Sequence, residues 1–206
     1  MSLPDLLGLA AGTAFASGLN LYATVATLGL FHRFGIFTLP PDLQVLADPL
    51  VLGVALTLFV VEFVADKVPF VDTIWDTIHT FVRPPAAVLL AYGALGGLPA
   101  PWRIVAGLVG GTFALTAHSA KASTRVAANT SPEPFSNWLL SLTEDALVVG
   151  LMWLVTAHPL LTLAVTLALV ALSLALVLKL IWLGRRFARG GPRAGGPAVQ
   201  RQSARS

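Results

Sequence analysis

Apolar runs separated by short clusters of proline, glycine and charge set the pattern of this chain. A helix crossing a bilayer needs about 20 predominantly apolar residues. Runs of that kind cover residues 6–31 and 46–64 and, after Pro84 and Pro85, a shorter stretch to residue 98. A fourth begins near Trp102 and turns polar after Thr116, a fifth covers 135–157, and a sixth 160–183. The sixth is the clearest, because residues 160–178 hold no charge. Pro40 and Pro41, the 98–101 stretch LPAP, the 131–134 stretch SPEP, and His158 with Pro159 mark the connections.

Segment 69–82 has a different rhythm. Phe70, Val71, Ile74, Trp75, Ile78, Phe81 and Val82 recur at helical spacing, and Asp72, Asp76 and His79 fall on the other side. The spacing predicts an amphipathic helix, lying at a membrane interface or folded back against the bundle. The fold expected is therefore all-α: a polytopic helical membrane protein of about six transmembrane helices, plus this one interfacial or re-entrant helix.

Composition strengthens that reading. Hydrophobic residues make up 56% of the 206 residues and charged ones 11%, with a mean hydropathy of +0.80. Soluble chains carry about 25% charge, so too few polar side chains remain to cover a surface facing water. The net charge of +3 hides an asymmetry. Residues 1–178 hold six basic and ten acidic side chains, and residues 179–206 hold seven basic and none acidic. A basic stretch abutting an apolar helix marks a cytoplasmic flank that meets anionic lipid, and it argues against nucleic-acid binding. Segment 184–206 reads as a disordered cytoplasmic tail. With six spans both termini share the cytoplasmic side of the membrane. No cleavable signal peptide is expected, and the absence of cysteine excludes disulfides and thiolate metal sites.

Residues 8–13 (GLAAGT) match residues 107–112 (GLVGGT) at four of six positions, an offset of 99. Glu62 and Glu144 each interrupt a later apolar run. Three spans per copy force the copies into opposite orientations. The expected organisation is a first three-helix repeat over 1–98, which includes segment 69–82, and an inverted second over 99–183, as in many secondary transporters. Gly8, Gly12, Gly107 and Gly111 also fit plain helix packing, since small residues let helices approach closely.

The run 18–24 (GLNLYAT), the segment 62–69 (EFVADKVP), and 71–79 (VDTIWDTIH) with Arg83, Pro84 and Pro85 resemble the bacterial membrane family called domain of unknown function 4126. The segment 117–125 (AHSAKASTR), with Asn129, Ser131, Pro132, Glu144 and Asp145, fits the same resemblance. It spans nearly the whole chain up to the basic tail, implies a location in a bacterial inner membrane, and implies no activity.

Ionisable side chains inside apolar helices are costly and are functional candidates for that reason. Glu62, Asp66 and Lys67 stand in the second span, His118 and Lys121 in the fourth, and Glu144 with Asp145 in the fifth. Arg125 follows Lys121 by one turn, and a match between this basic face and the two acids is the cheapest way to bury both. Asn20 and Tyr22 add uncharged polar groups. These residues form the expected binding site for an ion or small polar solute in a small secondary transporter or permease, with protons as the natural coupling species. Asp72, Asp76 and His79 have the spacing of a weak divalent-metal site, although a solvated polar face is the simpler reading. The alternatives in function are a non-transporting scaffold or assembly factor, and, further off, a lipid-modifying enzyme. No hydrolase, phosphate-loop or dinucleotide motif is present, so neither an enzyme nor a cofactor is expected. The partners expected are the bilayer, a small solute and a second copy of the chain.

Overall fold

The computed structural model describes residues 1–68, 70–129 and 135–190. Among them the protein is all-α: α1 (Leu3–Leu19), α2 (Leu21–Arg33), a 3₁₀ turn (Pro41–Ala47), α3 (Pro49–Ala65), α4 (Val71–Ala94), α5 (Ala100–Ala128), α6 (Phe135–Ala157) and α7 (Pro159–Gly190). Pro69, the loop expected at 131–134 and the tail beyond Gly190 lie outside the described residues.

Local chemistry sets the helix ends. Asp5 accepts from the Ser2 N–H at 2.6 Å at the start of α1, and Asp48 accepts from the Leu50 N–H at 2.8 Å at the start of α3. Asn20 does two jobs. Its extended backbone ends α1, and its side chain accepts from the Ala23 N–H at 2.9 Å to cap α2. The single span expected over 6–31 is thereby two helices.

Packing contacts give the directions. Ala14 lies by Gly110, and a methyl group at Gly18 would collide with the Ala114 backbone, so α1 and α5 run parallel. Gly18 faces Arg83, whereas Ala10 shares a cavity with Leu95 just past α4, so α4 is antiparallel to α1. Tyr22 touches His79, and Val25 lines a groove with Ala86 and Leu90, so α2 doubles back alongside α4. Chain segments therefore alternate between an upper end, where α1 begins, and a lower end. α1 is enclosed from Gly8 to Leu19, with α4, α5, α6 and α7 around it.

Three expectations change. The glycine-rich segments of α1 and α5 run in the same direction, so they are not an inverted pair; the break at Asn20 adds a pass between the copies. Ser2, Pro4 and Asp5 line a cavity with residues 157–161 at the α6–α7 turn. α7 then carries the chain 32 residues away from that turn, so α1 begins and α7 finishes at opposite ends of the helical bundle. Finally, Pro84 and Pro85 do not break the chain. Each forfeits a backbone hydrogen bond, but α4 continues through them, packed along α5 where Val88 meets Gly107 and Gly111. Segment 71–82 is thus the first half of one long helix. Residues 184–190, expected in the tail, continue α7.

A buried polar cluster sits beside the apolar core, and the outer face of the molecule is apolar. On α4, Asp72, Asp76, His79 and Arg83 are buried, while Ile74, Ile78, Phe81 and Leu89 are exposed. The solvated polar face expected for Asp72, Asp76 and His79 is corrected by this: the stripe turns inward because the ionic partners are there. Among the described residues two helices, Phe135–Ala157 and Pro159–Arg186, are long and apolar enough to cross a membrane. The 3₁₀ turn and α3, bent by 65°, give a third as a broken span. That is fewer than six.

A buried charge cluster as candidate functional site

The cluster grows from the inward stripe of α4. Asp72, Asp76, His79 and Arg83 follow one another at helical spacing, and α5 answers with His118, Lys121 and Arg125. Glu62 and Asp66 arrive from α3 and its C-cap, and Glu144 and Asp145 from α6. All of this lies in the lower half: Asp72 is the second residue of α4, and Arg125 stands three residues before the end of α5.

Arg83 is the hub, with no exposed surface. Its guanidinium donates to Glu62 Oε1 at 2.7 Å, to the Gly18 carbonyl at 3.2 Å and to His118 Nδ1 at 2.7 Å. A guanidinium has no acceptor, so His118 Nδ1 must be the lone-pair nitrogen and the ring is neutral. Its Nε2–H then faces the Asp76 carbonyl at 3.0 Å and Thr80 Oγ1 at 2.8 Å. Lys121 donates to Asp66 Oδ2 at 2.8 Å, Glu62 Oε1 at 3.2 Å and the Leu19 carbonyl at 3.0 Å. Arg125 bridges Asp66 Oδ2 at 3.0 Å and Glu144 Oε2 at 2.6 Å.

The break at Asn20 belongs to this arrangement. The last carbonyls of α1, those of Gly18 and Leu19, lack helical partners because α1 stops there, and they carry the negative end of its dipole. Arg83 and Lys121 satisfy them. The Asn20 amide donates onward to Asp145 Oδ1 at 3.0 Å. At the margin Tyr22 Oη hydrogen-bonds His79 Nε2 at 3.0 Å, while His79 Nδ1–H donates to the Trp75 carbonyl at 2.8 Å. Tyr22 also lines a groove of about 590 Å³ between α2, α3 and α4, which reaches Asp42 at the upper end.

Of the residues singled out from sequence, Glu62, Asp66, His118, Lys121 and Glu144 meet in the core of the cluster, and Asn20, Tyr22 and Asp145 stand at its edge. Lys67 sits apart: it donates to the Phe63 carbonyl at 2.9 Å and Ser141 Oγ at 3.1 Å. Asp72 accepts from the Asn129 amide at 3.0 Å, Asp76 faces Arg83, and His79 pairs with Tyr22. Among the described residues no three His, Asp or Glu side chains stand close enough to hold a metal ion, so the weak metal reading finds no site. Gly8 and Gly12 pack against Pro159 and Thr162, and Gly107 and Gly111 against Val88. Sequence reasoning missed Arg83 as the hub, although it extends the 72, 76, 79 stripe by one more turn. It also missed the backbone carbonyls of Gly18 and Leu19, for which no side-chain signal exists.

Four carboxylates (Glu62, Asp66, Asp76, Glu144) face three cations (Arg83, Lys121, Arg125) within ion-pair distance. Buried charge is costly unless paired, and this network leaves one negative charge in excess. Chemically, a buried carboxylate without a matching cation is a group that takes up a proton.

A family model described as domain of unknown function (DUF4126) matches residues 7–179, a stretch that holds every residue of the cluster and stops at the basic tail. No curated protein and no solved structure matches the chain.

Proposed function

The chain belongs to the DUF4126 family, whose description brings no activity, and from the buried cluster we propose a multi-pass membrane permease or small secondary transporter for an ion or small polar solute. The observation that carries this is the meeting of Arg83, Lys121 and Arg125 with four carboxylates at a helix break, inside a bundle whose outer face is apolar. Transporters commonly place the site where a discontinuous helix exposes backbone carbonyls and a dipole end. The carbonyls of Gly18 and Leu19 are of that kind.

In this reading α3 to α7 lie across the bilayer, with the charges of α4 and α5 turned away from lipid. At a rise of about 1.5 Å per residue, α4 and α5 each exceed the roughly 30 Å hydrocarbon core. Lys179, Arg185 and Arg186 in the last turns of α7 support a cytoplasmic lower end facing anionic lipid in an inner-membrane protein, with the first residues of α1 on the other side.

The test is flux in proteoliposomes loaded with a panel of cations and small polar metabolites. Flux above empty vesicles, reduced at least about tenfold by Glu62→Gln in a folded, monodisperse protein, is the expected outcome; tenfold corresponds to about 1.4 kcal/mol. A second reading, a non-transporting scaffold, draws on the same dense internal pairing. No flux for any solute of the panel removes the permease and leaves the scaffold.

A further inference from the structure

The excess negative charge has to be neutralised somewhere, and the hydrogen bonds single out one carboxyl. Glu62 Oε1 accepts from Arg83 and Lys121, Asp66 Oδ2 from Lys121 and Arg125, and Glu144 Oε2 from Arg125. Asp76 is only 2% exposed, and among the described residues neither of its carboxyl oxygens accepts a hydrogen bond. Its nearest cationic atoms are Arg83 Nη1 at 3.4 Å and Lys121 Nζ at 4.0 Å. Their hydrogen bonds go elsewhere: Arg83 Nη1 and Nη2 donate to Glu62, Gly18 and His118 while its Nε is unpartnered among the described residues, and Lys121 donates to Asp66, Glu62 and Leu19.

The surroundings leave few other sources of positive charge. From α4 itself Arg83, His79 and Asp72 share the stripe of Asp76, and α3 presents Glu62 and Asp66. α5 presents His118, Lys121 and Arg125, α6 presents Glu144, which is held by Lys121 and Arg125, and α2 presents Tyr22 through His79. His118 has Nδ1 fixed as a lone-pair acceptor by Arg83, so it contributes no charge, and His79 hydrogen-bonds Tyr22 and the Trp75 carbonyl rather than Asp76. No set of three acidic or histidine groups is placed for a metal ion among the described residues.

We infer that Asp76 holds an exchangeable proton, making it the proton-binding carboxyl of this cluster. The step is a plain proton transfer from water to the Asp76 carboxylate: one O–H bond forms, one negative charge disappears, and nothing is oxidised or reduced. With the proton on, three cations face three carboxylates. With it off, Asp76 competes with Glu62 for Arg83 and with Asp66 for Lys121, the two cations that also hold the carbonyls of the α1 break. Protonation of one residue is thereby tied to the helix break 56 positions earlier in the chain. This names the coupling ion of the proposed permease, and it rests on that reading for the coupling role alone.

Infrared spectroscopy of the full chain in lipid nanodiscs tests it without any flux. The wild type should show, at neutral pH, the carbonyl stretch of a protonated carboxyl. That band should vanish in Asp76→Asn and move in frequency in Asp76→Glu, with helix content checked in each by circular dichroism. If Asp76→Asn does not fold, the Asp76→Glu shift decides alone. A band unchanged in both folded variants places the proton elsewhere and overturns the inference, as does a wild type without the band. Absence of flux with the band behaving as expected would remove the transporter and leave the proton site standing.

Discussion

α4 and α7 solve the same problem in opposite ways. α7 carries no charge from Pro159 to Leu178: among its described residues only Thr162 and Thr166 are fully buried, and its large exposed hydrophobic residues are leucine, isoleucine and tryptophan. It satisfies a hydropathy criterion for a membrane span by composition alone. α4 does not, because Asp72, Asp76 and Arg83 add charge to it. Yet its exposed face, with Ile74, Ile78, Phe81 and Leu89, is as apolar as that of α7. The difference lies in where the charge points. A helix that hides its ionised groups among partners presents lipid-compatible surface while failing any test that averages around its circumference.

The comparison can be broken at four places. The largest effect is expected at Arg83. Arg83→Met leaves Glu62 without one of its two cations and Asp76 without its nearest one, a loss of about 3–5 kcal/mol by reversible unfolding in mild detergent. Leu172→Ala on the exposed face of α7 should cost far less in the same assay. Next comes the outward face of α4. Phe81→Arg places a charge where the account puts lipid and should cost about 2.5–3.5 kcal/mol, whereas a water-facing site would tolerate it nearly unchanged. A third probe is the Arg125–Glu144 pair, for which a double-mutant cycle with Arg125→Gln and Glu144→Gln should give a coupling of about 1–3 kcal/mol, well above that of an exposed ion pair. The smallest is the helix break: Asn20→Ala removes the cap of α2 and the bond to Asp145 and should cost about 1 kcal/mol.

Much of the site could be read in the sequence, and the reasons are physical. Glu62, His118, Lys121 and Glu144 stand out because ionisable groups are rare in apolar runs, and each lies in the cluster core. The helical stripe of 71–82 was legible too, but its polar face was not assignable. Periodicity shows that one side is polar and cannot show whether water or buried cations answer it. The turn at Asn20 stayed hidden because no proline or glycine pair marks it. One asparagine caps two helices, and hydropathy runs on across it. With one helix more than expected, the parity of the chain changes, and with it the relative direction of the glycine-rich segments of α1 and α5. Pro84 and Pro85 erred in the other direction, since packing along α5 carries the helix through them.

The central claim is that α4 turns its charges inward and its apolar face to lipid. The chain contains no cysteine, so a nitroxide attached at Phe81→Cys or Leu89→Cys reports from one position only. In reconstituted protein these labels should be relaxed strongly by lipid-soluble oxygen and weakly by a water-soluble paramagnetic complex, matching a label at Leu172→Cys on α7. Strong relaxation by the water-soluble complex on α4, with Leu172→Cys still protected, would place that face in water and contradict the account.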